Sequence, residues 1–91
     1  MAVQVRIPTI LRKHTDGEKQ VVGLGQTLAD LFSDLDGRYP GLRSGLVTDN
    51  GELHRFVNVY VNDEDVRFMG AIATPLSDGD VVTILPAVAG G

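Results

Sequence analysis

Residues 27–40, TLADLFSDLDGRYP, carry the strongest periodic pattern in the chain. Leu28, Leu31, Phe32 and Leu35 recur at intervals of three and four residues, which aligns them along one side of a helix. Such a stripe of apolar side chains has to be buried against another layer of structure. The stretch therefore predicts one amphipathic helix that covers a core.

Residues around the stripe carry signals for the two ends of this helix. Thr27 is a suitable N-cap, because its hydroxyl can accept a hydrogen bond from a free backbone N–H of the first turn. Gly37 and Pro40 bracket the predicted end. Asp30 and Asp34 project away from the apolar stripe, so we expect a solvated face there rather than a site of paired carboxylates.

The segments before and after the helix predict strands. Residues 3–7 alternate apolar and polar side chains, and residues 18–24 form a weaker candidate after a polar turn, so the two predict an opening hairpin. Periodicity is poor from residue 41 to residue 54. Later strands are predicted at residues 55–62, 66–69 and 81–85, with polar turns between them. Strands on both sides of one helix indicate an α+β fold, in which one main helix covers one face of a mixed sheet.

Length and charge limit the classes of protein to which the chain can belong. Its 91 residues fit one domain, which we expect to span residues 1–86 and to be followed by a protruding tail at 87–91. A net charge of −4 disfavours nucleic acid as a partner and suits a basic protein surface better. No apolar run approaches the roughly 18 residues that cross a bilayer, so we expect no membrane partner and a cytoplasmic location.

The side chains show no pattern of a catalytic centre. The chain contains no cysteine, so it can hold no side-chain thioester or persulfide. His14 and His54 have no neighbouring ligands at metal spacing and are expected to be exposed loop histidines. No serine lies in a nucleophile motif, and no glycines form a phosphate-binding fingerprint. We therefore expect a chain that is not an enzyme and binds no metal or cofactor stably.

An apolar surface is predicted on the uncovered face of the sheet. If the last strand turns Val82 and Ile84 inward, Leu85 faces outward, where it can join Phe56 and Tyr60. Aromatic side chains with a polar rim are typical of protein docking surfaces. The alternative is that a loop or the curvature of the sheet covers these side chains.

The segment LPAVAGG, residues 85–91, carries the strongest functional signal. Pro86 holds Leu85 extended and directs the chain away from the sheet, and the residues after Pro86 reach at most about 17 Å. Glycine has no Cβ, so a narrow active site of a partner can surround the carbonyl carbon of Gly91. The ionised carboxylate is a poor electrophile. We expect a second protein to activate it with ATP as an acyl-adenylate, which sulfide or a lysine amine could then attack.

Three stretches of the chain resemble one known family. The ending DGDVVTILPAVAGG, residues 78–91, is similar to that of the ubiquitin-like β-grasp sulfur carriers of the MoaD/ThiS family. IPTILRKHT, residues 7–15, and HRFVNVYVNDEDVRF, residues 54–68, resemble the CysO-type branch of that family, which serves cysteine formation. The resemblance covers the whole chain. It implies a β-grasp fold and a thiocarboxylate on Gly91.

The resemblance also implies a set of partners. An E1-like adenylating and sulfurtransferase enzyme would use ATP to install sulfur on Gly91, and a PLP-dependent cysteine synthase would then consume that sulfur. A JAMM-type zinc peptidase would release the cysteine product. ATP, PLP and zinc would thus belong to the partner enzymes. The partner-binding residues would be Leu85, Pro86, Ala87, Val88, Ala89 and Gly90, together with Phe56 and Tyr60.

Three other functions remain open from the sequence. The first is the small subunit of a molybdopterin synthase or another MoaD/ThiS carrier, although Ala87 stands where the former often carries the second residue of a Pro-Pro pair. The second is a ubiquitin-like modifier that is joined to lysines through Gly91. The third is a binding module whose Phe56, Tyr60 and Leu85 recruit a partner while the tail is passive.

Overall fold

The computed structural model describes residues 2–86. Within them five strands form one mixed sheet in the spatial order β2-β1-β5-β3-β4. The strands are β1 (Ala2–Arg6), β2 (Gln20–Leu24), β3 (Val57–Val61), β4 (Glu64–Asp65) and β5 (Val81–Pro86). The first and last long strands, β1 and β5, are parallel neighbours, and the other pairs are antiparallel.

The opening hairpin predicted from the sequence is confirmed. β1 and β2 pair in antiparallel register, with Val3 opposite Gly23 and Val5 opposite Val21. The loop between them is more ordered than the sequence indicates, because Thr9–His14 form a 3-10 helix whose Leu11 is buried. Pro8 precedes this helix in an extended conformation, so β1 ends where the 3-10 helix turns away from the sheet.

Alternation along the strands separates a buried face from an exposed one, as the period of two predicts. The buried face is built mainly from β-branched side chains, which pack well on a pleated surface. Each of the four longer strands contributes to it. Its members are Val3, Val5, Val21, Val57, Val59, Val61, Val82 and Ile84.

The predicted helix is present as α1 (Leu28–Arg38) and covers the buried face. All four residues of the apolar stripe are buried. The hydroxyl of Thr27 accepts a hydrogen bond from the backbone N–H of Asp30, so the predicted N-cap is also confirmed. Gly23 lies directly beneath the helix, where an added Cβ would come within 2.5 Å of the Leu31 side chain. The missing side chain at Gly23 therefore allows α1 to sit close to β2.

Two local predictions are wrong. The segment of poor periodicity contains a second helix, α2 (Leu42–Leu46), in which Leu42 and Leu46 are buried. The Asp36 carboxylate accepts hydrogen bonds from the backbone N–H groups of Gly41 and Arg43, both at 3.2 Å, and so caps the start of α2. Tertiary packing and this remote cap support a helix that is too short for a periodic signal.

The second wrong prediction is the strand at residues 66–69. Val66–Phe68 form a 3-10 helix instead. The carboxylate of Asp65 accepts a hydrogen bond from the backbone N–H of Arg67 at 2.9 Å and starts this turn. Only Val66 of the three residues is buried, so one apolar anchor was mistaken for the start of a strand.

The boundary predicted between domain and tail falls at the end of the described chain. β5 extends through Pro86, so the sheet continues to the last residue that the expectation assigned to the domain. The predicted tail, residues 87–91, lies outside the described residues. None of the helices within residues 2–86 has the length and apolar character needed to span a bilayer.

Candidate functional site

The last strand joins the predicted tail to the centre of the sheet. β5 lies between β1 and β3, and its Val82 and Ile84 side chains are buried in the core. The inward orientation of these two residues, on which the outward position of Leu85 depended, is therefore observed. Leu85 is 46% exposed, and Pro86 is also exposed. The side chains of β5 thus change from buried at Ile84 to exposed at Leu85 and Pro86.

Pro86 ends the strand without loss of a sheet hydrogen bond. The backbone N–H of Asn62, which directly follows β3, donates to the carbonyl of Val81 at the start of β5, so these two residues occupy a hydrogen-bonded position of the ladder. Bonded and non-bonded pairs alternate along an antiparallel ladder, so the pair of Val57 and Pro86 is a non-bonded one. The other neighbour, β1, already ends its pairing at Thr83. A residue without an N–H is therefore tolerated at this position.

Tyr60 and Leu85 meet on the uncovered face of the sheet. Leu85 lies opposite Asn58, and Tyr60 lies opposite Thr83, so the two side chains are diagonal neighbours on one face. Together with Thr83 and Asp63 they line a shallow cavity of about 190 Å³. Tyr60 is partly buried. The structure thus places two of the three predicted surface residues, Tyr60 and Leu85, side by side.

Phe56, the third predicted residue, is exposed but does not line this cavity. It precedes β3 and is 71% exposed. Its ring stacks on His54, with 6.4 Å between the ring centroids. The predicted apolar surface therefore consists of a Tyr60–Leu85 pair and a separate aromatic side chain at Phe56. The tail residues Ala87, Val88, Ala89, Gly90 and Gly91 lie outside the described residues.

Neither histidine is the exposed loop residue that the sequence predicts. His14 ends the first 3-10 helix and is partly buried. His54 is also partly buried, and its Nε2 lies 2.9 Å from the carbonyl oxygen of Ser44. Within residues 2–86 no three acidic or histidine side chains are grouped closely enough to hold a metal ion.

A larger cavity adjoins the end of β5, and the sequence gives no signal of it. Its volume is about 550 Å³, and its walls include Leu85 and Pro86 together with Arg6, Arg12 and Lys19. These three cations come from different elements of the N-terminal third. They reach the end of β5 because β1 and β5 are parallel neighbours. Hydrophobic periodicity identifies strands but not which strands pair, so this neighbourhood could not be predicted from periodicity alone.

The sequence profile of the ThiS family matches residues 5–91. The match covers nearly the whole chain and includes both terminal glycines. The chain belongs to the ThiS family. The family resemblance noted in the sequence is thereby confirmed.

Individual relatives place this ThiS-family chain among carriers rather than enzymes. The sulfur carrier protein CysO of Mycobacterium tuberculosis (strain H37Rv) is 59% identical over 93 aligned positions that cover all of both chains. The small archaeal modifier protein 3 of Haloferax volcanii is 42% identical over 65 positions, which cover 71% of this chain and 70% of the relative.

Solved structures of relatives agree with the fold of this ThiS-family chain. The crystal structure of M. tuberculosis CysO superposes with a TM-score of 0.91 at 58% identity and covers 94% of this chain and 99% of the relative. CysO in the Amycolatopsis orientalis BexX/CysO complex gives a TM-score of 0.90 at 55% identity, over 98% of this chain and 99% of the other. The five-stranded mixed sheet with one main helix is therefore a ubiquitin-like β-grasp fold.

Proposed function

We propose that the chain is a sulfur carrier whose C-terminal Gly91 bears a thiocarboxylate and supplies sulfur for cysteine biosynthesis. An E1-like enzyme adenylates the Gly91 carboxylate. One carboxylate oxygen attacks the α-phosphorus of ATP, and pyrophosphate leaves. Hydrosulfide then attacks the acyl carbon, so a C–S bond forms, the C–O bond to AMP breaks, and a proton is released. The reaction consumes ATP, and we place it in the cytoplasm.

The later steps follow from the reactivity of that terminus. In the active site of a PLP-dependent cysteine synthase, the thiocarboxylate sulfur would attack the β-carbon of an activated serine such as O-phosphoserine, from which phosphate leaves, and a thioester to Gly91 would form. The amine of the new cysteine would then attack the Gly91 acyl carbon and the acyl C–S bond would break, which leaves cysteine attached to Gly91 through an amide bond. A JAMM-type zinc peptidase hydrolyses this amide and regenerates the carboxylate. ATP, PLP and zinc are bound by these three partners. The carrier contributes the acyl carbon and the surface by which each partner recognises it.

The single observation that carries this proposal is the full-length similarity to named sulfur carriers, which includes both terminal glycines. The arrangement of β5 supports it. Val82 and Ile84 fix the strand in the core, while Leu85 and Pro86 are accessible immediately before the tail. A carrier needs such a rigid base, because a partner has to bind the folded domain and the last residues together.

Mass spectrometry of the intact protein tests the proposal. The chain is incubated with the E1-like enzyme, ATP and a sulfide donor, and its mass should rise by the difference between sulfur and oxygen. Omission of ATP should abolish this gain. Gly91→Ala should reduce it strongly, because a Cβ at the last residue would meet the walls of a narrow active site. An unchanged wild-type mass, with the enzyme shown to be active on another carrier, would reject the proposal.

A protein modifier is the second candidate, favoured by the 42% identity to a small archaeal modifier protein. In this function a lysine amine, rather than hydrosulfide, attacks the activated Gly91. The two functions are distinguished in extracts of cells that express the tagged chain. Isopeptide-linked adducts that disappear when Gly90 and Gly91 are deleted would support the modifier. Free thiocarboxylate without adducts would support the sulfur carrier.

A further inference from the structure

The cationic cavity at the end of β5, lined by Arg6, Arg12, Lys19, Ile10, Leu85 and Pro86, has a charge opposite to that of the chain as a whole. The chain carries a formal charge of −4 with eight basic residues, and three of the eight line this one cavity. Among residues 2–86 no acidic side chain lines it. A chain that is acidic overall thus has a local basic site beside Pro86, the last residue that the structure describes.

The backbone positions these cations rather than leaving them on loose loops. Arg6 is the last residue of β1 and lies in register with Thr83. Lys19 is tied to the end of β1 by a hydrogen bond from the backbone N–H of Ile7 to the carbonyl of Lys19 at 2.8 Å. The Nε of Arg12 donates to the carbonyl of Ile7 at 3.1 Å. All three residues are therefore anchored around the end of one strand.

The cations are not neutralised within the described part of the chain. The one ion pair found between residues 2 and 86 joins Arg38 and Asp34, which belong to α1. Arg6 also borders a smaller cavity of about 210 Å³ that Asp63 lines, but no ion pair joins the two side chains. The positive charge of the cavity is consequently available to another molecule.

We infer that this cavity binds a partner surface in which carboxylates flank an apolar side chain, and that the adenylating enzyme carries that surface. The carboxylates would pair with Arg6, Arg12 and Lys19. The apolar side chain would lie against Ile10, which is 54% exposed, and Leu85. This inference rests on the proposed function, since an enzyme that acts on Gly91 has to come close to Leu85 and Pro86, which line the cavity and lie a few residues before Gly91 in the sequence.

The charge distribution gives this site a steering role. An acidic partner surface is repelled by most of this chain and attracted at the cavity, so the long-range field orients the two proteins before they touch. The attraction acts over about 10 Å at an ionic strength of 0.1 M. The cavity therefore affects mainly the rate of association and its dependence on salt, while the apolar contact affects the lifetime of the complex.

Charge reversal at matched positions tests the inference. Lys19→Glu and Arg6→Glu change two residues of the cavity, and Arg43→Glu on α2 is the control, because Arg43 is exposed and does not line the cavity. Each variant takes the formal charge from −4 to −6. Arg12 is left unchanged because its hydrogen bond to Ile7 supports the fold. Circular dichroism confirms folding before the rates are compared.

The readouts are the association rate with the E1-like enzyme and the kcat/KM of ATP-dependent activation, both measured at several salt concentrations. We expect each cavity variant to lower both quantities on the order of tenfold at low salt and to flatten their salt dependence, while Arg43→Glu has little effect. Equal effects of all three variants would overturn the inference. Self-association of the wild type that Lys19→Glu abolishes would assign the cavity to a second copy of the chain and would also overturn it.

The outcomes separate this inference from the proposed function. If the wild type is activated but the cavity variants behave as the control does, the sulfur-carrier function stands and the docking site is wrong. If the wild type neither binds nor is activated by an enzyme that is active on another carrier, both are rejected.

Discussion

The carboxylate of Asp34 accepts a hydrogen bond from the backbone N–H of Leu24 at 2.9 Å, which ties α1 to the free edge of β2. Arg38 completes the link, because its guanidinium donates to Asp34 at 2.7 Å and to the carbonyl of Val22 at 2.9 Å. No other described strand pairs with this edge of β2. The two side chains therefore occupy backbone groups that an added strand from another molecule would use.

Loss of this link should produce a stability difference that depends on pH. The hydrogen bond from Leu24, followed by Arg38, holds the pKa of Asp34 below its ordinary value of 3.8. A lowered folded-state pKa adds stability above the unfolded pKa, and this stability disappears as pH falls through the folded value. We expect Asp34→Ala to lower the free energy of unfolding by about 1 kcal/mol or less at pH 7. This decrease should become smaller below pH 3.8.

Urea denaturation of the wild type and Asp34→Ala at pH 7 and at pH 3 measures this effect. Asp34→Asn is the matched control, since its amide oxygen can still accept from Leu24 without the charge. Its loss should be smaller than that of Asp34→Ala at pH 7. If the free energies of unfolding of the wild type and Asp34→Ala differed by the same amount at both pH values, the lowered pKa of Asp34 would be contradicted.

Two glycines close together in the chain should respond oppositely to alanine. A Cβ on Gly25 would lie 2.5 Å from the backbone nitrogen of Leu31, and backbone atoms cannot rotate away. Gly37 lies in α1 and has no atom within 4 Å of the added Cβ. We expect Gly25→Ala to lose about 1–3 kcal/mol and Gly37→Ala to gain about 0.5–1 kcal/mol from helix propensity. Thermal unfolding of both variants measures the two changes in stability. A stabilised Gly25→Ala would show that the backbone of α1 at Leu31 does not lie as close to Gly25 as the structure has it.

Asn62 should prove structural rather than part of a binding site. It has a φ of 49°, a left-handed conformation that asparagine tolerates better than alanine. Its side chain donates to Asp80 at 2.9 Å and accepts from the backbone N–H of Val81 at 3.0 Å. We expect Asn62→Ala to lower the free energy of unfolding by about 1–2 kcal/mol. Asn62→Gly should lower it less, because glycine adopts the left-handed conformation freely. Urea titration ranks the two, and the reverse order would refute the backbone explanation.

Adjacent residues of β5 should separate stability from recognition. Ile84 is 1% exposed, so Ile84→Ala should lose about 2–5 kcal/mol. Leu85 is 46% exposed, so Leu85→Ala should lose less than about 1 kcal/mol and should instead slow activation by the E1-like enzyme. Chemical denaturation and the intact-mass assay are run on both variants. Retained stability in Ile84→Ala, or unchanged activation of Leu85→Ala, would contradict the respective half of the prediction.

The elements predicted correctly from the sequence are those whose signal lies entirely within their own residues. The stripe from Leu28 to Leu35 and the cap at Thr27 are local signals, and both are present in α1. The strand predicted at residues 55–62 is likewise present as β3, in which Val57, Val59 and Val61 are buried. In each case the pattern spans about two turns of helix or several residues of strand, which is long enough to be distinguished from chance.

The features that were missed depend on contacts distant in sequence. α2 is supported by the Asp36 side chain from the preceding helix and by burial of Leu42 and Leu46. Asp34 was expected simply to face solvent, but it bonds to the edge of β2. The cationic cavity requires the parallel pairing of β1 and β5, which no residue pattern encodes. Of the candidate site, the sequence predicted the exposed Leu85 but not the charges beside it.

The parallel pairing of β1 and β5 has a mechanical consequence. Ala2 and Pro86 lie at opposite ends of two neighbouring strands that run in the same direction. Tension applied between these points would load the hydrogen bonds that join the strands in shear, all at once, rather than peel them apart one by one. An unfolding enzyme that pulls on the carboxyl end of the chain would thus apply force along the direction in which the sheet resists mechanical unfolding most strongly.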